Sequence, residues 1–274
     1  MVERTLGKGE VTSSILVTGF CEGNHLDMES QEKVALVTGA SSGIGRAIAL
    51  RLAEAGYRIA VCARRQEKLE SLATEIQNLG AEVKTYQTNL RQEPEILEMF
   101  DAIRSEWGGV DVLINNAGLG HKQSLMEGAT EAWRETLDVN VVALCICTRE
   151  ALRDMRAKGD RGHVVHISSM AGHRVPGSGM YSASKFAVRS LTEGLRQELR
   201  AAESSIRVSS ISPGFVETEF AEKYTQSAEK ARETYSQFPV LQPQDVAEAV
   251  LYVLSQPDHV QVHDILVRPT QQKS

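Results

Sequence analysis

Val34-Ala-Leu-Val-Thr38-Gly39-Ala40-Ser41-Ser42-Gly43-Ile44-Gly45-Arg46 is the stretch whose reading decides the fold. Its first five residues, apolar or β-branched, read as a buried strand. Glycines follow at once. Ile44, Ile48 and Leu52, with Ala47, then recur at the three-and-four spacing of one helix face, which stops near Gly56. A strand, a glycine-rich turn and a helix in direct succession suit an anion. The glycines let the backbone approach a pyrophosphate, and the helix start supplies unpaired N–H groups and a positive dipole end. The spacing is G-x-x-x-G-x-G rather than G-x-G-x-x-G, but the strand and helix supply the context such a pattern needs. A tight turn with packing glycines is the plainer alternative.

Outward from this turn the pattern repeats. Arg58–Cys62, Glu82–Gln87, Val110–Ile114, His163–Ile167, Ile206–Ile211 and Asp264–Val267 read as further strands. Helices fill the gaps: one on Leu69, Leu72, Ile76 and Leu79, then Pro94–Trp107, Thr130–Lys158, Ser182–Ala202 and Asp245–Leu254. Such alternation predicts an α/β fold with a Rossmann-like, doubly wound, seven-stranded parallel sheet in three α/β/α layers. Residues 28–274 are expected to form a single domain, and 1–27 a polar, disordered extension. The stretch Gly214–Gln242, with Tyr224 and Tyr235, reads as irregular and suits a substrate lid beyond a strand's carboxyl end; a surface excursion is the alternative.

Composition closes off other classes. The chain has 274 residues, 42% hydrophobic and 24% charged, with a net charge of −6. That apolar content excludes a disordered chain, and the acidic balance without a basic block disfavours nucleic acid. Cys21, Cys62, Cys145 and Cys147 have no C-x-x-C spacing, so a reducing compartment is expected. The apolar run Val141–Cys147 is too short to span a bilayer. Arg4 and Lys8 against Glu3, Glu10, Glu22 and Asp27 give the first 27 residues the wrong sign for a transit peptide. A cytoplasmic protein without membrane insertion is expected.

Two further constellations carry chemistry. After the second strand come Cys62-Ala63-Arg64-Arg65, where a carboxylate would hold the ribose 2′-hydroxyl of NAD(H). Two guanidiniums suit a 2′-phosphate instead, so NADP(H) is favoured over NAD(H). Tyr181 and Lys185 stand four apart at a helix start and project to one side. A nearby positive charge would lower a phenol pKa from about 10 toward the working range. Upstream, Ile167-Ser168-Ser169 puts two hydroxyls at the sheet's carboxyl edge, where ligands bind.

Taken together these residues resemble the short-chain dehydrogenase/reductase family, in its compact single-domain branch. Asn115-Asn116-Ala117-Gly118, Asn140 in Asp138-Val-Asn140-Val, and Pro213-Gly214 complete the resemblance from Met28 to Thr270. Cys147-Thr-Arg-Glu, Gly172-His-Arg-Val, Thr192–Arg200 and Val267-Arg-Pro-Thr look like the subgroup called dehydrogenase/reductase member eleven. The resemblance implies oxidoreduction between a carbonyl (ketone or aldehyde, keto-steroid or terpenoid) and its alcohol. It implies Tyr181 as the general acid/base, Lys185 as ribose ligand, Ser169 as the hydroxyl on the substrate oxygen, and Asn140 in a water-linked proton relay. It implies a cofactor held by Gly39, Ser41, Ser42, Gly43, Ile44, Gly45, Arg64, Arg65, Asn89, Leu90, Asn116, Ala117, Gly118, Tyr181, Lys185, Pro213, Gly214, Val216 and Thr218. Asn89 replaces the family's usual acid, and an amide oxygen can still accept from the adenine amino group. Relatives pair through two long helices, which implies a homodimer or homotetramer.

The competing classes are a non-catalytic NADP-binding sensor or scaffold, which has no need of Ser169, Tyr181 and Lys185, and a sugar-nucleotide epimerase or dehydratase, which needs a larger C-terminal region. His121, His163, His166 and His173 lack metal-ligand spacing and read as structural or surface residues. Glu217 and Glu219 read as solvated, and Met126 and Met180 as pocket or core residues.

Overall fold

The computed structural model describes residues 33–175 and 179–273; the acidic lead at 1–27, Cys21 and the expected start at Met28 lie outside them. Strands β1 (Val34–Thr38), β2 (Arg58–Ala63), β3 (Val83–Gln87), β4 (Val112–Asn115), β5 (His163–Ile167), β6 (Arg207–Pro213) and β7 (Asp264–Val267) form one parallel sheet. Its order is β3-β2-β1-β4-β5-β6-β7. Winding reverses between β1 and β4, where Ala35, Leu36 and Val37 pair with Val112, Leu113 and Ile114. A crevice opens beyond the carboxyl ends of the strands at such a switch point.

The two-residue period of a strand splits the core. Ala35 and Val37 of β1 join Ile59, Val61 and Ile114 under helices α1 (Gly43–Glu54) and α2 (Gln66–Asn78). Val34 and Leu36 join Ala60, Leu113 and Val164 under α3 (Glu93–Trp107) and the helix Ala143–Ala157 on the other face. Both faces are thus covered, as near-continuous apolar strands require. No described helix is long and apolar enough to cross a membrane.

Several expectations change in detail. Val110 is buried but stays out of β4, because its N–H donates to the Asp154 carboxylate at 3.1 Å. Leu79 ends up beyond the last turn of α2, 47% exposed. The long helix expected over 130–158 is α4 (Thr130–Leu137), a π turn (Asp138–Val142) and α5 (Ala143–Ala157). The π turn carries Asn140, and such turns favour functional sites. The following helix is α6 (Met180–Ala201). The stretch read as irregular between Gly214 and Gln242 contains two short helices, α7 (Phe220–Thr225) and α8 (Ala228–Ser236); α9 (Pro243–Leu254) follows. A parallel bridge between Val216 and Leu241 closes the base of this excursion.

Candidate active site

The turns after β1 and β4 are stapled together. Thr38 Oγ1 accepts the N–H groups of Asn116 and Ala117, each at 3.0 Å, and Asn116 Nδ2 donates to the Thr38 carbonyl at 2.9 Å. Gly39 has φ +67°, and a Cβ there would fall 2.8 Å from Ala117 Cα, so only glycine keeps both turns in place. Ser42 precedes α1 without a side-chain cap, and the helix has no acid in its first turn. Its N-terminal N–H groups therefore meet no compensating charge from the helix itself. This donor set fits a dinucleotide diphosphate.

Arg65 closes the same end of the groove. Its guanidinium donates to Ser41 Oγ at 2.9 Å and to Ser42 Oγ at 2.8 Å. It also pairs with Glu219 at 3.0 Å. Arg64 points outward, 66% exposed, 3.9 Å from Glu135. Glu219 is therefore not simply solvated, because the excursion brings it back over the glycine turn. Glu217 is exposed, as read, and accepts from Gln242.

The other end gathers Ser169, Tyr181 and Lys185. Ser169 ends the turn from β5 and holds its position by accepting the Ala171 N–H at 3.1 Å. Ser168 also lines the cavity but is 3% exposed, and its hydroxyl has no partner among the described residues. Tyr181 is partly buried on the first turn of α6. Burial pushes its phenol up to about 12, with the Ser169 hydroxyl acting in the opposite direction. Lys185 is buried, donates to the Ile167 carbonyl at 2.8 Å, and lies 5.8 Å from the centre of the Tyr181 ring. Burial pulls it down to about 8. Desolvation favours the neutral form of both groups and outweighs the depression of the phenol expected from Lys185.

One cavity of about 1410 Å³ joins the two ends. Its lining includes Gly39, Ser41–Ile44, Arg64, Arg65, Asn89, Leu90, Asn116–Gly118, Ser169, Tyr181, Lys185, Pro213, Gly214, Val216 and Thr218. Two expected site residues stand behind the lining. A Cβ on Gly45 would fall 2.4 Å from Asn116 Nδ2 and 2.7 Å from the Gly39 carbonyl, so Gly45 packs the turn against its neighbour. Asn140 is 1% exposed; it brackets Leu119 by accepting its N–H at 2.9 Å and donating to its carbonyl at 2.8 Å, and it donates to Ser184 at 2.9 Å. Met126 is 92% exposed and far from any core role.

Sequence reasoning missed Phe220. Its ring lies 5.0 Å from Tyr181 and stacks on Tyr224 at 5.7 Å, and Tyr224 meets Tyr181 edge-on at 6.2 Å. The only signal was the aromatic content of the excursion. His173, read as a border or surface residue, is partly buried between Ser212 and Asp264, each 3.1 Å away. His163 and His166 are buried and hydrogen-bonded to Ser209 and Thr192.

A family model described as short chain dehydrogenase matches residues 33–229. The chain belongs to the short-chain dehydrogenase/reductase family. Within this family it is 51% identical over 249 residues to dehydrogenase/reductase SDR family member 11 of Bos taurus, covering 88% of this chain and 98% of that protein. It is 41% identical to farnesol dehydrogenase of Aedes aegypti over 246 residues, covering 88% and 97%. Among solved structures, the closed form of serine dehydrogenase complexed with NADP+ superposes with a TM-score of 0.81 at 33% identity, covering 88% of this chain and 96% of that one. This short-chain dehydrogenase/reductase is therefore an oxidoreductase of the member-eleven-like subgroup.

Proposed function

We propose that this oxidoreductase interconverts a ketone or aldehyde and its alcohol, with NADP(H) as the preferred cofactor. One observation carries the reading: a single groove runs from the Arg65–Ser41–Ser42 cluster to a buried hydroxyl-and-ammonium cluster of Ser169, Tyr181 and Lys185. The cofactor, once bound, supplies or accepts the hydride. Gly39, Gly43 and the start of α1 bind its diphosphate, and Arg65, with Arg64 beside it, takes the 2′-phosphate. Asn89 and Leu90 flank the adenine side, and Pro213, Gly214, Val216 and Thr218 the nicotinamide side.

Tyr181 gives the proton to the substrate oxygen during reduction. A phenol near 12 is fully protonated at neutral pH and so has a proton to donate. Ser169 donates a second hydrogen bond to the same oxygen, where negative charge develops. Lys185 holds the cofactor ribose and, when charged, stabilises the phenolate that remains. Asn140 positions the loop at Leu119 and the start of α6 through Ser184. The similarity to farnesol dehydrogenase of Aedes aegypti and to serine dehydrogenase complexed with NADP+ supports the same chemistry.

Residues 28–274 act as one domain in this reading. Leu137, Val142, Phe186 and Leu191, exposed on α4 to α6, favour pairing of copies through these helices. A panel of carbonyls and alcohols with NADPH, NADH and their oxidised forms tests the proposal. Tyr181→Phe is expected to lower kcat by about 10²–10⁴-fold while NADPH still binds. Equal turnover by the variant, or a strong preference for NADH, overturns the reading. A chain that binds NADPH but turns over nothing on the panel is the non-catalytic binder.

A further inference from the structure

Three groups that would welcome a phosphate already share an anion. Glu219 Oε2 accepts from Arg65 Nη1 at 3.0 Å, from Ser42 Oγ at 3.2 Å and from Lys223 Nζ at 2.5 Å. Arg65 meanwhile spans Ser41 and Ser42. Lys223 and Arg65 hold the Glu219 carboxyl below the usual range, so it is ionised at neutral pH. The charge that completes this cluster is supplied from the chain itself, 154 residues away in sequence from the guanidinium it meets.

Glu219 is also the first residue of a strap with two contacts. On its N-terminal side Thr218 lies against the glycine turn, so close that a Cβ on Gly43 would fall 3.0 Å from Thr218 Cγ2. On its C-terminal side Phe220 and Tyr224 cover the Tyr181 ring. The Tyr224 carbonyl accepts the Lys122 N–H at 3.3 Å, which ties the strap to the opposite wall. The residue in the anion seat and the residue on the candidate proton donor are neighbours in the chain.

We infer that Glu219 is a cofactor-specificity residue: its carboxylate competes with the 2′-phosphate for Arg65 and Ser42, sets how strongly the groove prefers the phosphorylated dinucleotide, and couples occupancy of that seat to the position of α7 over Tyr181. The inference rests on the reading of Arg65 as a 2′-phosphate ligand. Two anions cannot share one guanidinium and one hydroxyl without mutual repulsion, so the phosphate enters as the carboxylate leaves. Withdrawal of Glu219 draws Phe220 with it and uncovers the phenol. A dinucleotide without the 2′-phosphate leaves the carboxylate in its seat and the ring covered.

Adenosine 2′,5′-bisphosphate and 5′-AMP separate the phosphate from the rest of the cofactor, and calorimetric titration reads their binding without turnover. Glu219→Gln is expected to tighten the bisphosphate about tenfold and leave AMP within about twofold. Glu219→Asp keeps the charge but shortens its reach, and is expected to tighten the bisphosphate by a smaller factor. Glu222→Gln, an exposed carboxylate on the same short helix, removes the same net charge and is expected to change neither. In the free protein, amide exchange over Phe220–Thr225 is expected to be faster in E219Q than in the wild type. If the wild type prefers the bisphosphate and E219Q binds it no tighter, or if E222Q tightens it equally, the role of Glu219 is refuted. Unchanged exchange at Phe220–Thr225 refutes the coupling. If neither wild type nor E219Q distinguishes the bisphosphate from AMP, the phosphate reading of Arg65 itself falls, and this inference with it.

Discussion

Replacing Lys185 by Met is expected to make the protein, measured without cofactor, more stable at neutral pH and to end turnover. The ammonium is 5% exposed and burial lowers its pKa from 10.5 to about 8. At ~1.4 kcal/mol per pH unit, that gap corresponds to about 3 kcal/mol spent in holding the charge inside the fold. Methionine removes this cost but leaves the Ile167 carbonyl without its donor, which returns about 1 kcal/mol. The net gain is about 2 kcal/mol, or roughly 4–8 °C in Tm for a domain of this size.

The pH dependence carries a definite sign. Below about 8 the amine is protonated in both folded and unfolded chains, and the full difference between variant and wild type is present. Between about 8 and 10.5 the unfolded chain keeps a proton that the folded chain has released, so the wild type gains on the variant with rising pH. The gap of about 2 kcal/mol closes near pH 9.5, and by about 10.5 the wild type is the more stable by about 1 kcal/mol, the value of its hydrogen bond to Ile167. Urea midpoints of both proteins from pH 6.5 to 10.5 give the measurement. A variant less stable than wild type at pH 7, or a difference that does not change between pH 8 and 10, refutes the assignment of a desolvated ammonium at this position.

One of the two histidines of β5, His166, gives an acid counterpart. Burial, followed by the charges of Lys185 and Arg196, pulls His166 down to about 3 from 6.5. The unfolded chain therefore takes a proton between those values that the folded chain refuses, and stability is lost as pH falls below 6.5. His166→Gln is expected to make the acid limb of a stability–pH profile shallower by about 1.4 kcal/mol per pH unit over pH 4–6; an unchanged slope contradicts the reading. Gly45→Ala, whose Cβ would meet Asn116 Nδ2 at 2.4 Å, is expected to cost about 1–3 kcal/mol and to weaken NADPH binding in a fluorescence titration. The same change at Gly194 in α6, where nothing lies within 4 Å of the added methyl, is expected to stabilise by about 1 kcal/mol.

How far the chain could be read beforehand depended on the range of the forces involved. β1 and β5 run over the residues their apolar pattern marks, because a strand buried on both faces leaves a continuous local signature; β7, at the sheet edge, keeps its expected bounds with Leu266 exposed. Tyr181 and Lys185 come to one side of α6 by helix geometry alone. What burial does to their protonation was not legible, since desolvation depends on every residue that packs around the pair. Glu219 looked solvated for the same reason: its partner, Arg65, is distant in sequence and close only after the excursion folds back. Val110 looked like strand until Asp154, 44 residues on, captured its N–H. The π turn left no mark in composition, because it differs from α by a single residue in the hydrogen-bond step.

That turn also decides what a deletion would do. Five residues at Asp138–Val142 shift the phase of the helix, so Thr136 before them and Leu144, Cys147 and Ala151 after them are buried on stripes that need not share one register. Loss of one residue inside the turn would merge the two halves into a regular helix and swing Asn140 away from Leu119 and Ser184, with the sheet left intact. Such a deletion would thus act on the hold over Leu119 and Ser184 before it acted on the strands.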